Sequence, residues 1–144
     1  MTRSWSTPTL FLLCGSVLTA ALWSGGGVGA AAPVLLLSVL FAGLHSPLFF
    51  PRSTGVAQAR RRSAADGRPV VFWRPGCPYC LRLRARLGRD ARLLHWVDIW
   101  RDPEGAAAVR AVADGNETVP TVVVAGRAHV NPDPAWVRAQ LPRA

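Results

Sequence analysis

Two long apolar runs open the chain, and a shorter alternation of apolar and polar positions fills the rest. Thr9-Leu10-Phe11-Leu12-Leu13 begins a run that reaches Trp23, a Gly-rich break follows at Ser24-Gly25-Gly26-Gly27, and a second run goes from Ala30 to Phe50. Eighteen helical residues cover about 27 Å, close to the hydrocarbon thickness of a bilayer. The pattern predicts a membrane anchor over 1–50, with two transmembrane α-helices at about 8–24 and 31–50. Trp5 and Trp23 stand where such a helix meets the membrane–water interface. Arg3 is the one charged residue before position 51, the connection from Ser24 to Ala32 carries none, and Arg52, Arg60, Arg61 and Arg62 follow the second run. Positive flanks stay inside. Both termini and the domain that follows are therefore expected on the cytoplasmic side of the cell membrane, in a multi-pass protein. A cleaved signal peptide is the alternative, with Ala30-Ala31-Ala32 as its cleavage site. That site lies far from the first apolar core and a second apolar segment follows at once, so a helical hairpin accounts for both runs. Cys14 falls in the first helix as a small apolar residue, and His45 ends the second as a neutral imidazole near the interface.

Residues 51–67 read as a basic juxtamembrane linker. Within it, Val56 to Asp66 has the Ala/Arg/Gln content of a short helix that stops at Gly67. Arg60-Arg61-Arg62 serves as a topology signal and can pair with lipid head groups at about 1 kcal/mol per charge. From 68 to 144 the periodicity predicts a compact α/β domain. Val70–Trp73 is a buried β-branched and aromatic strand. Pro78 to about Asp90 is a helix with Leu81, Leu83 and Leu87 inward, and Leu93–Ile99 a second strand. Asp102-Pro103-Glu104 caps a helix that runs to about Ala113. Thr121–Ala125 and Ala128–Val130 are two more strands around a Gly126-Arg127 turn, and Pro134–Leu141 closes the chain as a helix. The order βαβαββα suits a four-stranded mixed sheet with helices on both faces.

The net charge is +9, with seventeen Arg and no Lys. Beside an apolar hairpin this points to anionic lipid as the facing surface, not nucleic acid. Three cysteines make no disulfide framework, only one pair and one spare. The pair stands in Cys77-Pro78-Tyr79-Cys80, where a strand gives way to a helix. At that place Cys77 meets the unpaired N–H groups and positive dipole end of the helix, which favour its thiolate, the attacking species. Cys80, nearly one turn on, is placed to resolve a mixed disulfide by attacking Cys77. Pro78 lacks an N–H that would go unsatisfied in the first turn. A zinc site needs two further ligands, and His95 and His129 sit in strands, not in a knuckle, so no metal is expected. Pro78 and Tyr79 argue against a bridged iron–sulfur cluster. Arg82, Arg84, Arg86 and Arg89 read as a solvated helix face, and Trp73, Trp96 and Trp100 as core or rim packing.

Cys77-Pro78-Tyr79-Cys80 resembles the active site of dithiol glutaredoxins, and Thr118-Val119-Pro120 resembles the loop with a cis-proline that faces the cysteines in thioredoxin-like folds. Asp98-Ile99, Asn116 to Val122 and Asn131-Pro132 extend the resemblance to actinobacterial mycoredoxins, over roughly residues 68–142. The resemblance implies a glutaredoxin-like, thioredoxin-fold domain at 68–144 that reduces mixed disulfides. It implies Cys77 as nucleophile, Cys80 as resolving cysteine, Pro120 as the cis-proline, and the Thr118 and Val119 backbone holding substrate as an added strand. Arg74, Pro78 and Tyr79 complete the substrate-binding set. No bound cofactor is implied; mycothiol, or glutathione, is the thiol co-substrate. Two departures stand out. Val130-Asn131-Pro132-Asp133 replaces the Gly-Gly-x-Asp-like turn of glutathione users, which favours mycothiol, and Arg74-Pro75-Gly76 precedes Cys77 where a Thr and an aromatic are more usual.

The expected function is that of a membrane-anchored thiol–disulfide oxidoreductase whose partners are protein disulfides, a low-molecular-weight thiol and the lipid bilayer. Nothing in the sequence sets an oligomeric state. The competing expectations are an envelope-facing disulfide oxidoreductase and a membrane interaction protein whose redox domain only senses.

Overall fold

In the computed structural model, residues 5–142 are described, so the Arg3 flank lies outside the described residues. The chain divides into two compact units, one ending at Phe49 and the other starting at Phe50.

The first unit is an antiparallel pair of helices, α1 (Ser6–Ser24) and α2 (Val28–His45), each long and apolar enough to cross a membrane. The helices come close at Gly15, where an added Cβ would lie 2.1 Å from Ser38 Oγ. Only a residue without a side chain fits there. Phe11 stacks on Phe41 with centroids 5.8 Å apart, and the His45 ring lies 5.2 Å from Phe11. Leu13, Val17, Leu36 and Leu40 point away from the pair and are exposed. A surface this apolar on every side is that of a helix with no polar face to give to water. α2 begins at Val28 and stops at His45, not at the Phe50 expected from hydropathy. Pro47 is the reason: the residue before a proline is driven out of the helical region, and Ser46 has ψ 144°. Pro47–Phe49 forms one turn of 3-10 helix.

The second unit holds α3 (Val56–Asp66), β1 (Val70–Trp73), α4 (Pro78–Leu87), β2 (His95–Asp98), α5 (Pro103–Arg110), β3 (Thr121–Val124), β4 (Arg127–Val130) and α6 (Pro134–Ala139). The sheet order is β2-β1-β3-β4, with β1 and β2 parallel and the other pairs antiparallel. β1 is central and all four of its residues are buried, as its unbroken apolar run requires. Val71, Val122 and His129 share one sheet face, and α6 covers it through Trp136, 4.2 Å from the His129 ring. α4 packs beside α6, with Arg138 bonded to the Arg86 carbonyl and paired with Asp90 at 3.0 Å. Val97 and Phe72 share the opposite face with α5, whose Gly105 would place a Cβ 2.9 Å from Val97 Cγ1.

Residues 50–67 do not behave as a linker. Phe50 is buried against Trp73, ring centroids 3.8 Å apart, and against Trp96. Thr54 N–H donates to the Trp96 carbonyl at 3.0 Å, and Ser53 Oγ accepts from Asp98 N–H at 2.7 Å. The segment thus covers the outer edge of β2, which otherwise presents unpaired backbone groups. α3 follows with Val56 and Ala59 buried, and ends at Gly67 in the left-handed region, φ 70°.

Asp102 caps two helices at once. Its Oδ1 accepts from Gly105 N–H at 2.9 Å in α5, and its Oδ2 from Val56 N–H at 2.6 Å at the start of α3. A cap contributes about 1 kcal/mol, so Asp102→Ala is expected to destabilise the second unit by about 2–3 kcal/mol. Hydrogen exchange should show faster opening in α3 and α5 together; an effect confined to α5 would mean that α3 is held by other contacts.

Candidate active site

The site is built where β1 ends. Gly76 has φ 77°, a conformation that lets the chain turn sharply from the strand into α4. Cys77 is the N-cap of α4, and its Sγ accepts from Cys80 N–H at 3.2 Å. Pro78 occupies the first helical position and Tyr79 projects outward, 56 % exposed. Cys77 and Cys80 are present as thiols, with Cys77 6 % exposed and Cys80 wholly buried. The Val119–Pro120 bond is cis, and the Val119 carbonyl lies 3.3 Å from Cys77 Sγ. Thr118 stands outside that contact, exposed, with its carbonyl accepting from Thr121 Oγ1 at 2.8 Å. Arg74 lies over the Trp100 ring at 5.9 Å, with its charge acting on Cys77.

These contacts separate the two thiols in acidity. The Cys80 S–H donating to Cys77 Sγ, the Cys80 and Tyr79 N–H groups and the Arg74 charge bring the Cys77 thiol down from the ordinary 9.0 to about 7, against the opposing effect of burial. The contact with the Val119 carbonyl serves the neutral thiol only, so ionisation gives it up and turns Sγ wholly into an acceptor. Burial pushes the Cys80 thiol up, and the bond to Cys77 and the charge there add to the shift. Iodoacetamide alkylation of the full chain should therefore report Cys77 with a midpoint near about 7. Raising the pH through 7 makes the thiolate: at pH 7 Cys77 holds about fiftyfold more thiolate than a thiol of ordinary acidity and, because a more acidic thiolate is a weaker nucleophile, should react roughly five- to tenfold faster. A midpoint near 9 would mean that the helix end leaves the sulfur unperturbed.

Reading the residues alone named Tyr79, Pro120 and the 130–133 turn but did not bring Arg82 and Leu83 to the groove beside the cysteines. Tyr79, Arg82, Leu83, Pro120, Asn131 and Asp133 line a recess of about 220 Å³. Arg82 follows Tyr79 by three residues, a spacing that puts both on one face of α4. That spacing was the available signal, hidden by treating the Arg series as one solvated face. His95 and His129 lie apart from the cysteines, His95 on Asp66 at 3.0 Å and His129 on Trp136. Among the described residues no three His, Cys, Asp or Glu side chains gather as a metal cluster.

The glutaredoxin family model matches residues 70–130. Two proteins of Mycobacterium tuberculosis, from two strains and each provisionally named a glutaredoxin, are 41% identical over 73 residues, which is 50% of this chain and 87% of theirs. This chain belongs to the glutaredoxin family. The glutaredoxin domain thus includes the strand, the cysteine pair and the Thr118-Val119-Pro120 loop, all inside the matched region. Membership carries thiol–disulfide oxidoreductase chemistry, with protein disulfides and a glutathione-like thiol as partners. The apolar hairpin lies outside the matched residues.

Proposed function

We propose that this chain is a membrane-anchored oxidoreductase that reduces protein–mycothiol mixed disulfides, with Cys77 as nucleophile and Cys80 as resolving thiol. The observation that carries the proposal is the Cys77 sulfur held at the N-cap of α4, 3.3 Å from the carbonyl that precedes cis-Pro120, with its acidity raised. The Cys77 thiolate attacks the mycothiol sulfur of the mixed disulfide. A Cys77–mycothiol disulfide forms and the protein thiolate leaves. A second mycothiol thiolate then attacks that disulfide, which releases mycothiol disulfide and restores the Cys77 thiolate. With a protein disulfide, Cys80 attacks instead and the two cysteines end as a disulfide, to be reduced by two low-molecular-weight thiols. Substrate backbone would pair with Thr118 and Val119 as an added strand.

Mycothiol is favoured over glutathione because the recess beside Pro120 offers Arg82, Asn131 and Asp133 to a sugar's hydroxyls, in place of a Gly-Gly-x-Asp turn. The mycobacterial origin of both relatives agrees. The anchor is the α1–α2 hairpin, with the Arg residues after it keeping the redox domain cytoplasmic. The test is the detergent-solubilised full chain assayed on one protein carrying either mycothiol or glutathione as its mixed disulfide, each with its own thiol as reductant. Turnover at least about tenfold faster with mycothiol is the expected result, a difference of about 1.4 kcal/mol. Equal rates would remove the mycothiol assignment. In intact cells, labelling of Cys77 by a membrane-impermeant maleimide would overturn the topology.

A further inference from the structure

The sheet face opposite α4 and α6 is only partly covered. α3 and α5 flank an open groove of about 630 Å³ whose apolar lining includes Val70, Phe72, Val112, Val123 and Ala128. Val112 at 46% and Val130 at 40% exposure carry the apolar surface outward. Arg60 lines the same groove, and Arg61 and Arg62 follow it on α3. Among the described residues no carboxylate pairs with Arg60, Arg61 or Arg62. The acid at the end of that helix, Asp66, is already engaged by His95 and Arg68. The groove therefore combines an apolar trough with unneutralised positive charge at its edge.

We propose that this groove holds one acyl chain of an anionic phospholipid of the bilayer, with Arg60 pairing with the headgroup phosphate. The inference rests on the reading that α1 and α2 span a membrane. The trough has the size and the mostly apolar lining of a small-molecule site with one charged group to fix orientation. A nucleotide or a free sugar would leave its polar groups unpaired against Val112, Val123 and Ala128. A wholly apolar occupant would make no use of the exposed Arg60 charge at the rim. An anionic lipid answers both halves of the site.

The experiment places the full chain in nanodiscs of phosphatidylcholine and phosphatidylglycerol, with a photoactivatable diazirine on an acyl chain of the phosphatidylglycerol. Labelled peptides are mapped by mass spectrometry. Labels are expected on α1 and α2 and also on peptides holding Val112, Val123 and Ala128. Arg60→Gln should lower groove labelling about fivefold, the factor for about 1 kcal/mol lost with one charge near the surface, and leave α1 and α2 labelled as before. Val112→Asp, at a half-exposed rim position, should remove most groove labelling with the far-ultraviolet circular dichroism unchanged. Labels on α1 and α2 with none in the groove overturn the lipid site and leave the membrane anchor standing. Equal groove labelling from a phosphatidylcholine probe, or labelling by free fatty acid alone, also overturns it. Absence of labels from α1 and α2 removes the anchor, and the lipid site with it.

Discussion

Cys77→Ser is expected to bring turnover of protein–mycothiol disulfides down to the uncatalysed background, while Cys80→Ser keeps it within about threefold. The difference follows from where each sulfur sits. Cys77 is the N-cap sulfur that receives the Cys80 N–H, and it is the thiol brought down to about 7. A serine hydroxyl there stays protonated across the working range and cannot open a disulfide. Cys80 is buried and held protonated, so it enters only after a disulfide to Cys77 exists. Its S–H is nevertheless the largest single reason for the acidity of Cys77. Cys80→Ser preserves a donor at that place and Cys80→Ala does not. The alanine variant should therefore shift the alkylation midpoint of Cys77 upward and slow turnover most below pH 7, an effect that the serine variant lacks. Full turnover in Cys77→Ser would reassign the nucleophile. Identical midpoints in the two Cys80 variants would show that the N–H groups and Arg74 suffice without the second thiol.

The residues that could be read in advance are those whose role is set by neighbours in sequence. β1 was visible because four consecutive buried side chains need a continuous apolar run, and α4 because Pro78 and its Leu spacing mark a start and a face. Helix ends were less legible. α4 stops at Leu87 and not near Asp90, since Gly88 takes φ 57° and the chain tightens into 3-10 turns over Gly88–Leu93. α5 ends at Arg110, and the residues up to Gly115 form turns. Side chains that meet across long separations gave no local sign. Asp102 reads as the cap of α5 alone, yet it also caps α3 from 46 positions away. Arg74 meets Trp100, and Tyr79 shares a recess with Asn131 and Asp133, only because β1 and α4 sit beside the loops of later strands.

Phe50→Ala is expected to destabilise the second unit by about 3–4 kcal/mol, although hydropathy places Phe50 at the end of a membrane span. Its ring lies 3.8 Å from that of Trp73 and 5.5 Å from that of Trp96, and only 6% of the residue is exposed. Truncation opens a cavity against two large indoles, which keep their edge-on contact with each other at 6.5 Å but lose the ring stacked on Trp73. Phe50→Leu restores most of the buried volume without the stacked geometry and should lose only about 1 kcal/mol. Amide exchange of β1 and β2 in the full chain measures both: roughly 150- to 800-fold faster opening for the alanine variant and about fivefold for leucine. Exchange unchanged by Phe50→Ala would return residues 50–54 to the status of a connector. The expected loss makes them the first piece of the redox domain instead. The redox fold then begins five positions after α2 ends at His45, with only Ser46 to Phe49 between them.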